Sequence, residues 1–563
     1  MAAFKKTLNI ILIAYCCILL FSRCANQLSP PGGEIDRTPP QIIELTPKDG
    51  AVNYKGRSFE ITFSEYVDKN SVKDNIFISP KIPGELEYDW SGRTLEVIFP
   101  DSLKANTTYS VTIGTDVADL NNRNKMAEAF NFSFSTGGKI DSCKISGKVY
   151  DRQPAGVMVF AYKDKGDTLD VSRHIPDYIS QVGKNGNYLL TGLGYGDYLV
   201  FAMRDKLRDY IYKGGDDQIG IPAGPVFLKN DSSKISGLDY FLLSEDTVKP
   251  HINKVLMTDK YHLMLEFSKN IDSSKLKPEN FFIIDSTTQV KTGLKYFYKG
   301  QGKTDQFFLS FKDSVNNKGQ LYVTVTNLID LKGNKLDFEA ASFTYNSRPD
   351  TSAAKVIKIN GQYPPDMLDY ETPEIFVQFD DGFDNNIPAG SVSVLDSKGK
   401  SIPVKINNLD NSSFIIGFSE KIKPKSELML QLELKNFKDV SGKTLDSLYK
   451  KKFTIINDID FSGASGTVIS SDTTGSVYVV LEKAETDKKT YTQKTDKKGN
   501  FDIKKVVPGK YLVWSYIDKD KNKAYSKGKV KPFEFSEKFK FYSDTLNLRA
   551  RWPVGDIRIN IDK

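Results

Sequence analysis

Enzymatic chemistry needs acids, bases, nucleophiles or metals held in a defined arrangement, and this sequence is poor in the usual ones. Its three histidines, His174, His251 and His262, stand in unrelated contexts with no His-x-x-x-His or glutamate-containing zinc spacing, so surface or strand positions are expected for them. There is no Gly-x-Ser-x-Gly elbow, phosphate-cradling loop or dinucleotide fingerprint. Carboxylates are plentiful but scattered, and a glycosidase pair would have to be assembled by the fold. Asp518-Lys-Asp520-Lys-Asn522 places oxygen ligands at alternate positions, as the first half of a calcium loop does. Lys523 and Lys529 stand where such a loop needs Gly and Glu, so a polar turn is the expectation. Asp380, Asp381 and Asp384 are equally ambiguous. No catalytic residue, metal or cofactor is expected.

A flat ring can stack on a sugar face, which makes Trp90, Tyr296, Tyr298 and Trp514 the candidate ligand-binding residues. Tyr296 and Tyr298 share one face of a strand and Phe297 the other, as in any two-sided strand, so core or strand-surface packing is expected unless the rings are exposed. Charge excludes another class. Taking Lys5, Lys6 and Arg23 from the 78 basic residues leaves 75 against 71 acidic ones, a balance that argues against dedicated nucleic-acid binding. The Lys-rich run from Lys483 to Lys498 is interleaved with acids and reads as a solvated loop.

What must position any site is β-structure. Tyr and Phe far outnumber Trp, and helical periodicity is nowhere sustained. Phe59–Phe63, Leu95–Phe99, Tyr109–Ile113 and Phe130–Phe134 each place three apolar side chains on one face. The set recurs as 263–267, 307–311, 321–325 and 342–345, then as 375–379, 414–418, 428–432 and 453–455. In every copy the second and third strands start 14 residues apart. The connection carries an apolar residue at Leu103, Val315 or Ile422, and an Asp-led turn follows at Asp119, Asp330 or Asp439. Short strands at this spacing indicate β-sandwiches. Thr46-Pro-x-Asp-Gly50, Ile61-Thr-Phe-Ser-Glu65 and Asp119-Leu-Asn-Asn resemble the bacterial Ig-like family of surface-layer proteins and Bacteroidetes lipoproteins.

A second repeat aligns without a gap at an offset of 313 residues. Gly186-Asn-Tyr188 with Gly196-Asp-Tyr198 matches Gly499-Asn-Phe501 with Gly509-Lys-Tyr511, and each reads as a hairpin. With Ser146-Gly-Lys-Val-Tyr150 and Ser465-Gly-Thr-Val-Ile469 before them, these stretches resemble carboxypeptidase regulatory-like, or transthyretin-like, modules. That resemblance implies small, usually non-catalytic β-sandwiches.

Lys5 and Lys6 precede an apolar stretch, Leu8 to Phe21, that is short for a membrane span and matches a secretory signal. Its end, Leu20-Phe21-Ser22-Arg23-Cys24, resembles a bacterial lipoprotein signal, which would make Cys24 the acylated first residue. Arg23 departs from the small residue usual there. Cys16 and Cys17 lie in the apolar stretch, so Cys143 alone remains, and it is expected as a buried small hydrophobe.

The expected fold is all-β, a tandem array of small sandwiches: signal peptide 1–23, tether 24–38, Ig-like 39–137, transthyretin-like 140–247, Ig-like 249–347 and 352–457, and transthyretin-like 459–563. The expected function is that of a non-catalytic, lipid-anchored spacer or interaction scaffold of the cell envelope or outer membrane, with a protein or glycan partner. The alternative is a carbohydrate- or ligand-binding lipoprotein of a glycan-uptake system, and a hydrolase would need paired carboxylates in a cleft.

Overall fold

The computed structural model describes residues 35–562 except 167–168, 247, 300–302, 312–314, 316 and 485–488. The signal segment, most of the tether, and Cys16, Cys17 and Cys24 lie outside the described residues. The chain is a tandem array of small β-sandwiches, and among the described residues no helix is long and apolar enough to cross a membrane. Contacts divide it into two compact units. The first runs up to Asp167 and includes Pro176–Val200 and Val226–Leu238; the second comprises Thr168–Ile175, Phe201–Pro225 and Asp239–Lys563.

Three sandwiches share one plan. In the first, the sheet Ile42–Thr46, Ser58–Phe63, Thr94–Ile98, Glu87–Ser91 faces Ile76–Ser79, Thr108–Ile113, Phe130–Ser135. The same order recurs as Ile252–Asp259, His262–Phe267, Gln306–Ser310, Tyr296–Lys299, and again as Val356–Asn360, Glu374–Phe379, Ser413–Phe418, Val404–Asn408. Period-2 alternation buries one face of each strand, as with Phe59, Ile61 and Phe63, because a sheet with one apolar face must be covered by another. The connecting Leu103, Val315 and Ile422 join the respective cores. In the second sandwich the last strand is Lys335–Phe343 rather than 342–345. It pairs along its length with Leu321–Ile329 directly after the Asp330 turn, and its outward residues mask the alternation.

The other two modules differ from expectation in one respect. Asn187–Leu193 and Gly196–Arg204 are not a hairpin. The former pairs with Cys143–Tyr150 and the latter lies beside Met158–Lys163 in the other sheet. In the last module Asn500–Val506 pairs with Ser462–Ile469, while Gly509–Asp518 pairs with Ser476–Lys483. The chain crosses between sheets because Gly192 (φ 70°) and the aligned Lys505 (φ 55°) take left-handed conformations beside a register break, which ends the ladder and turns the strand across the core. The Ser-Gly motif has a steric cause: a Cβ on Gly147 would lie 1.9 Å from the Leu238 carbonyl oxygen, and one on Gly466 would lie 2.0 Å from that of Ile557. The Lys-rich run is not one solvated loop either. It contains the strand Thr490–Lys494, whose Tyr491 packs on the core.

Candidate functional site

The titratable groups gather at one corner of each Ig-like sandwich. Three positions build it: a residue six before the first strand (Asp36, Asp246, Asp350), one two after the second strand (Glu65, Lys269, Asp381), and the head of the Asp-led turn (Asp119, Asp330, Asp439). The turn aspartates are buried because they organise backbone. Asp119 accepts from the N–H groups of Asn122, Arg123 and Asn124 at 2.6, 2.9 and 3.1 Å. Asp330 accepts from those of Lys332 and Asn334, and Asp439 from that of Lys443. These bonds satisfy donors that a turn otherwise leaves open.

The middle position sets the charge of each corner. In the second sandwich Lys269 pairs with Asp246 and lies 3.8 Å from Asp330. In the first, Glu65 replaces the lysine, and burial together with Asp119 and Asp36 pushes its carboxyl above the usual range. In the third, Asp381 stands there, and the neighbouring sandwich contributes a cation.

That cation is His262, at the start of the strand His262–Phe267 and only 5% exposed. Its Nδ1 is 2.9 Å from both carboxylate oxygens of Asp259, and its Nε2 is 3.1 Å from Asp381 Oδ1. Burial alone would lower the imidazole pKa, but the two carboxylates outweigh it and hold it up at about 10. The Tyr298 hydroxyl donates to Asp381 at 2.8 Å. Burial and the charges of Asp350 and Asp381 push the Asp439 carboxyl upward. Sequence spacing did not single out Asp259, Asp350 or Asp439 as companions of His262, because they come from different strands and two sandwiches; the repeated corner positions were the available signal.

The rings proposed for ligands point inward. Tyr296 and Tyr298 are buried on an edge strand covered by the third sandwich: Phe297 N–H donates to Asn411 Oδ1 at 3.1 Å and Lys299 N–H to Asp410 Oδ2 at 3.2 Å. Trp514 is buried among Phe241, Tyr525 and Phe541. An edge strand and a large aromatic are stabilised by being covered, which removes the faces a sugar would stack on. Trp90 is half-buried, stacked on Phe63 with the Lys69 ammonium 5.4 Å from its ring centroid.

Asp518, Asp520 and Glu537 place carboxylates within 4.8 Å of one another, yet the turn is built on backbone donors. Asp518 accepts from Asn522 and Lys523 N–H, and Glu537 from Lys519 and Ser526 N–H. The Asn522 side-chain amide donates to Asp520 and to the Ser526 hydroxyl. At the same offset, Asp205 accepts from Arg208 and Tyr210; Asp217, which has no acidic counterpart at that offset, accepts from Lys206 and Lys213. The first copy makes this turn with Leu207 in place of Asp520, so the turn forms without the second acid. Cys143 is buried, its thiol donates to the Asn230 carbonyl at 3.0 Å, and burial pushes its pKa up.

The class defined by these features is a tandem Ig-like β-sandwich protein. Residues 36–136 match the family described as Bacterial Ig-like domain, and residues 461–523 match the second β-sandwich domain of BOS complex subunit NOMO1-like proteins. No curated protein matches the chain. Among solved structures it is similar to surface layer protein SbsC, domains 1–6, at 12% identity and a TM-score of 0.15, covering 84% of this chain and 64% of that one. An L,D-transpeptidase from Mycobacterium smegmatis matches at 13% identity and 0.14, covering 26% and 77%. BcpA, the major pilin subunit of Bacillus cereus, matches at 12% and 0.13, covering 75% and 99%. The chain spans less than two thirds of the surface-layer structure, and at such TM-scores the chains do not superpose as wholes.

Proposed function

We propose that this chain is a non-catalytic spacer and protein-docking scaffold of the cell envelope, held at the outer membrane by an acylated Cys24. The supporting observation is where its partly and fully buried charges go: His262 with Asp381, and Lys505 with Asp369, join one sandwich to the next. Charges that fix module against module suit a protein whose task is to hold position. The short apolar stretch ending at Cys24 supplies the anchor in this reading.

Metabolic labelling with a palmitate analogue tests the anchor. Wild type is expected to carry label and sediment with membranes, and Cys24→Ala to lose both; label persisting in Cys24→Ala refutes it. A glycan array with the mature chain tests the scaffold reading against ligand capture. No retained glycan is expected, and retention abolished by Trp90→Ala would replace the scaffold reading with the glycan-binding one.

A further inference from the structure

We propose that the second and third Ig-like sandwiches share a divalent transition-metal site, with His262 Nε2, Asp350 and Asp381 as ligands and Asp259 as the residue that orients the imidazole. One ligand atom from each of the three lies within 4.8 Å of the others. At metal–ligand bonds of about 2.1 Å, a tetrahedral site separates its ligand atoms by roughly 3.4 Å, so small side-chain adjustments close the set. The Asp259 carboxylate holds Nδ1 at 2.9 Å through both oxygens. Metal-binding histidines are commonly oriented by such a carboxylate, which fixes the tautomer and directs the Nε2 lone pair.

A second observation points to a ligand. Among the described residues, Asp350 Oδ2 is buried and accepts no hydrogen bond, its nearest cation being Lys443 Nζ at 3.9 Å, and the Asp350 side chain is only 4% exposed. Asp439 Oδ2 beside it is likewise buried and unpartnered, and His262 Nε2 has no aligned hydrogen-bond partner although Asp381 is close. Buried carboxylate oxygens without donors are costly, and a cation is what would satisfy them.

The repeat supplies an internal comparison. In the second sandwich the corner carries its own cation, Lys269, between Asp246 and Asp330. In the third that position is Asp381, a negative charge where the second has a positive one, and the corner's own cation, Lys443, stays 3.9 Å from Asp350 Oδ2 and 40% exposed. An imidazole nitrogen among carboxylates selects zinc, manganese or cobalt over calcium or magnesium, which prefer oxygen alone.

The experiment uses the mature full-length chain, stripped with a chelator and titrated with Co2+ and Zn2+. Expected are one equivalent of Zn2+ retained after desalting, measured by elemental analysis, and a visible Co2+ absorption band that Zn2+ abolishes. His262→Gln and Asp350→Asn should each weaken retention at least tenfold, with circular dichroism unchanged. Asp259→Asn should weaken it less, because it orients the imidazole without touching the ion. Absence of stoichiometric uptake by wild type overturns the proposal, and leaves the imidazolium as the corner's cation. Uptake undiminished in both His262→Gln and Asp350→Asn overturns it equally, by placing the ion elsewhere.

Discussion

Lys505 offers the sharpest perturbation of module docking. Its Nζ lies 3.0 and 2.9 Å from the two oxygens of Asp369 and 3.1 Å from Glu371 Oε2, and 4.1 Å from the centroid of the Tyr370 ring. Burial opposes its charge, but Asp369 and Glu371 outweigh burial and raise its pKa. Burial likewise opposes the Asp369 carboxylate, which Lys505 and the Glu371 and Thr372 N–H groups hold below the usual range. Lys505→Met keeps the stem and removes the ammonium. Breaking a fully buried pair costs about 3–5 kcal/mol, whereas here the Lys505 side chain is 18% exposed and Asp369 keeps backbone donors. We therefore expect a loss of about 2 kcal/mol, and a Lys505→Met/Asp369→Asn cycle should return a coupling of similar size. Because the folded Asp369 pKa is depressed, its contribution is complete above the ordinary aspartate value of about 3.9 and is lost as pH falls through the lower folded value. The assay is hydrogen exchange of Asn500–Val506 in urea at pH 7 and again below pH 4. Equal protection in variant and wild type at pH 7, or a gap that widens in acid, would refute the reasoning.

Three further outcomes follow from named contacts. Asp119→Ala removes the acceptor of three backbone N–H groups and should lower the stability of the first sandwich by about 2–4 kcal/mol, read as faster exchange in Thr108–Ile113. Gly466→Ala drives a Cβ to 2.0 Å from the Ile557 carbonyl oxygen; a backbone obstacle cannot rotate away, so a loss of about 1–3 kcal/mol or more is expected, with exchange rising in Val554–Asn560. Trp514→Ala empties a site packed by Phe241, Tyr525 and Phe541 and should cost about 3–5 kcal/mol, measured as a fall in the melting temperature of the last module.

The Ig-like strands were legible because each alternates over a one-sided core, so Phe59, Ile61 and Phe63 announce both strand and face. The crossing strands of the other modules were not. Asn187–Leu193 and Gly196–Arg204 carry the same alternation whether they pair with each other or face each other across a core, and the left-handed Gly192 that decides between the two is matched by Lys505, a residue type that does not signal such a turn. The rings at Tyr296 and Tyr298 posed a similar ambiguity: alternation reveals the two faces of a strand, but what covers an edge comes from Asp410 and Asn411, more than a hundred residues away.

The polar corner was half legible. The Asp-led turn recurs visibly in the sequence, and its aspartates Asp119, Asp330 and Asp439 bind their own backbone. The partners of those turns come from positions whose chemistry changes between copies, Glu65 to Lys269 to Asp381. A repeat search that rewards similarity passes over such a position. Yet geometry held constant while charge inverts is more informative than identity. The second corner holds Lys269 between Asp246 and Asp330, whereas the third has Lys443 beside Asp350 and, from its neighbour, His262 beside Asp381. The residue that changes between copies, Asp381, thus makes a contact between two modules through His262.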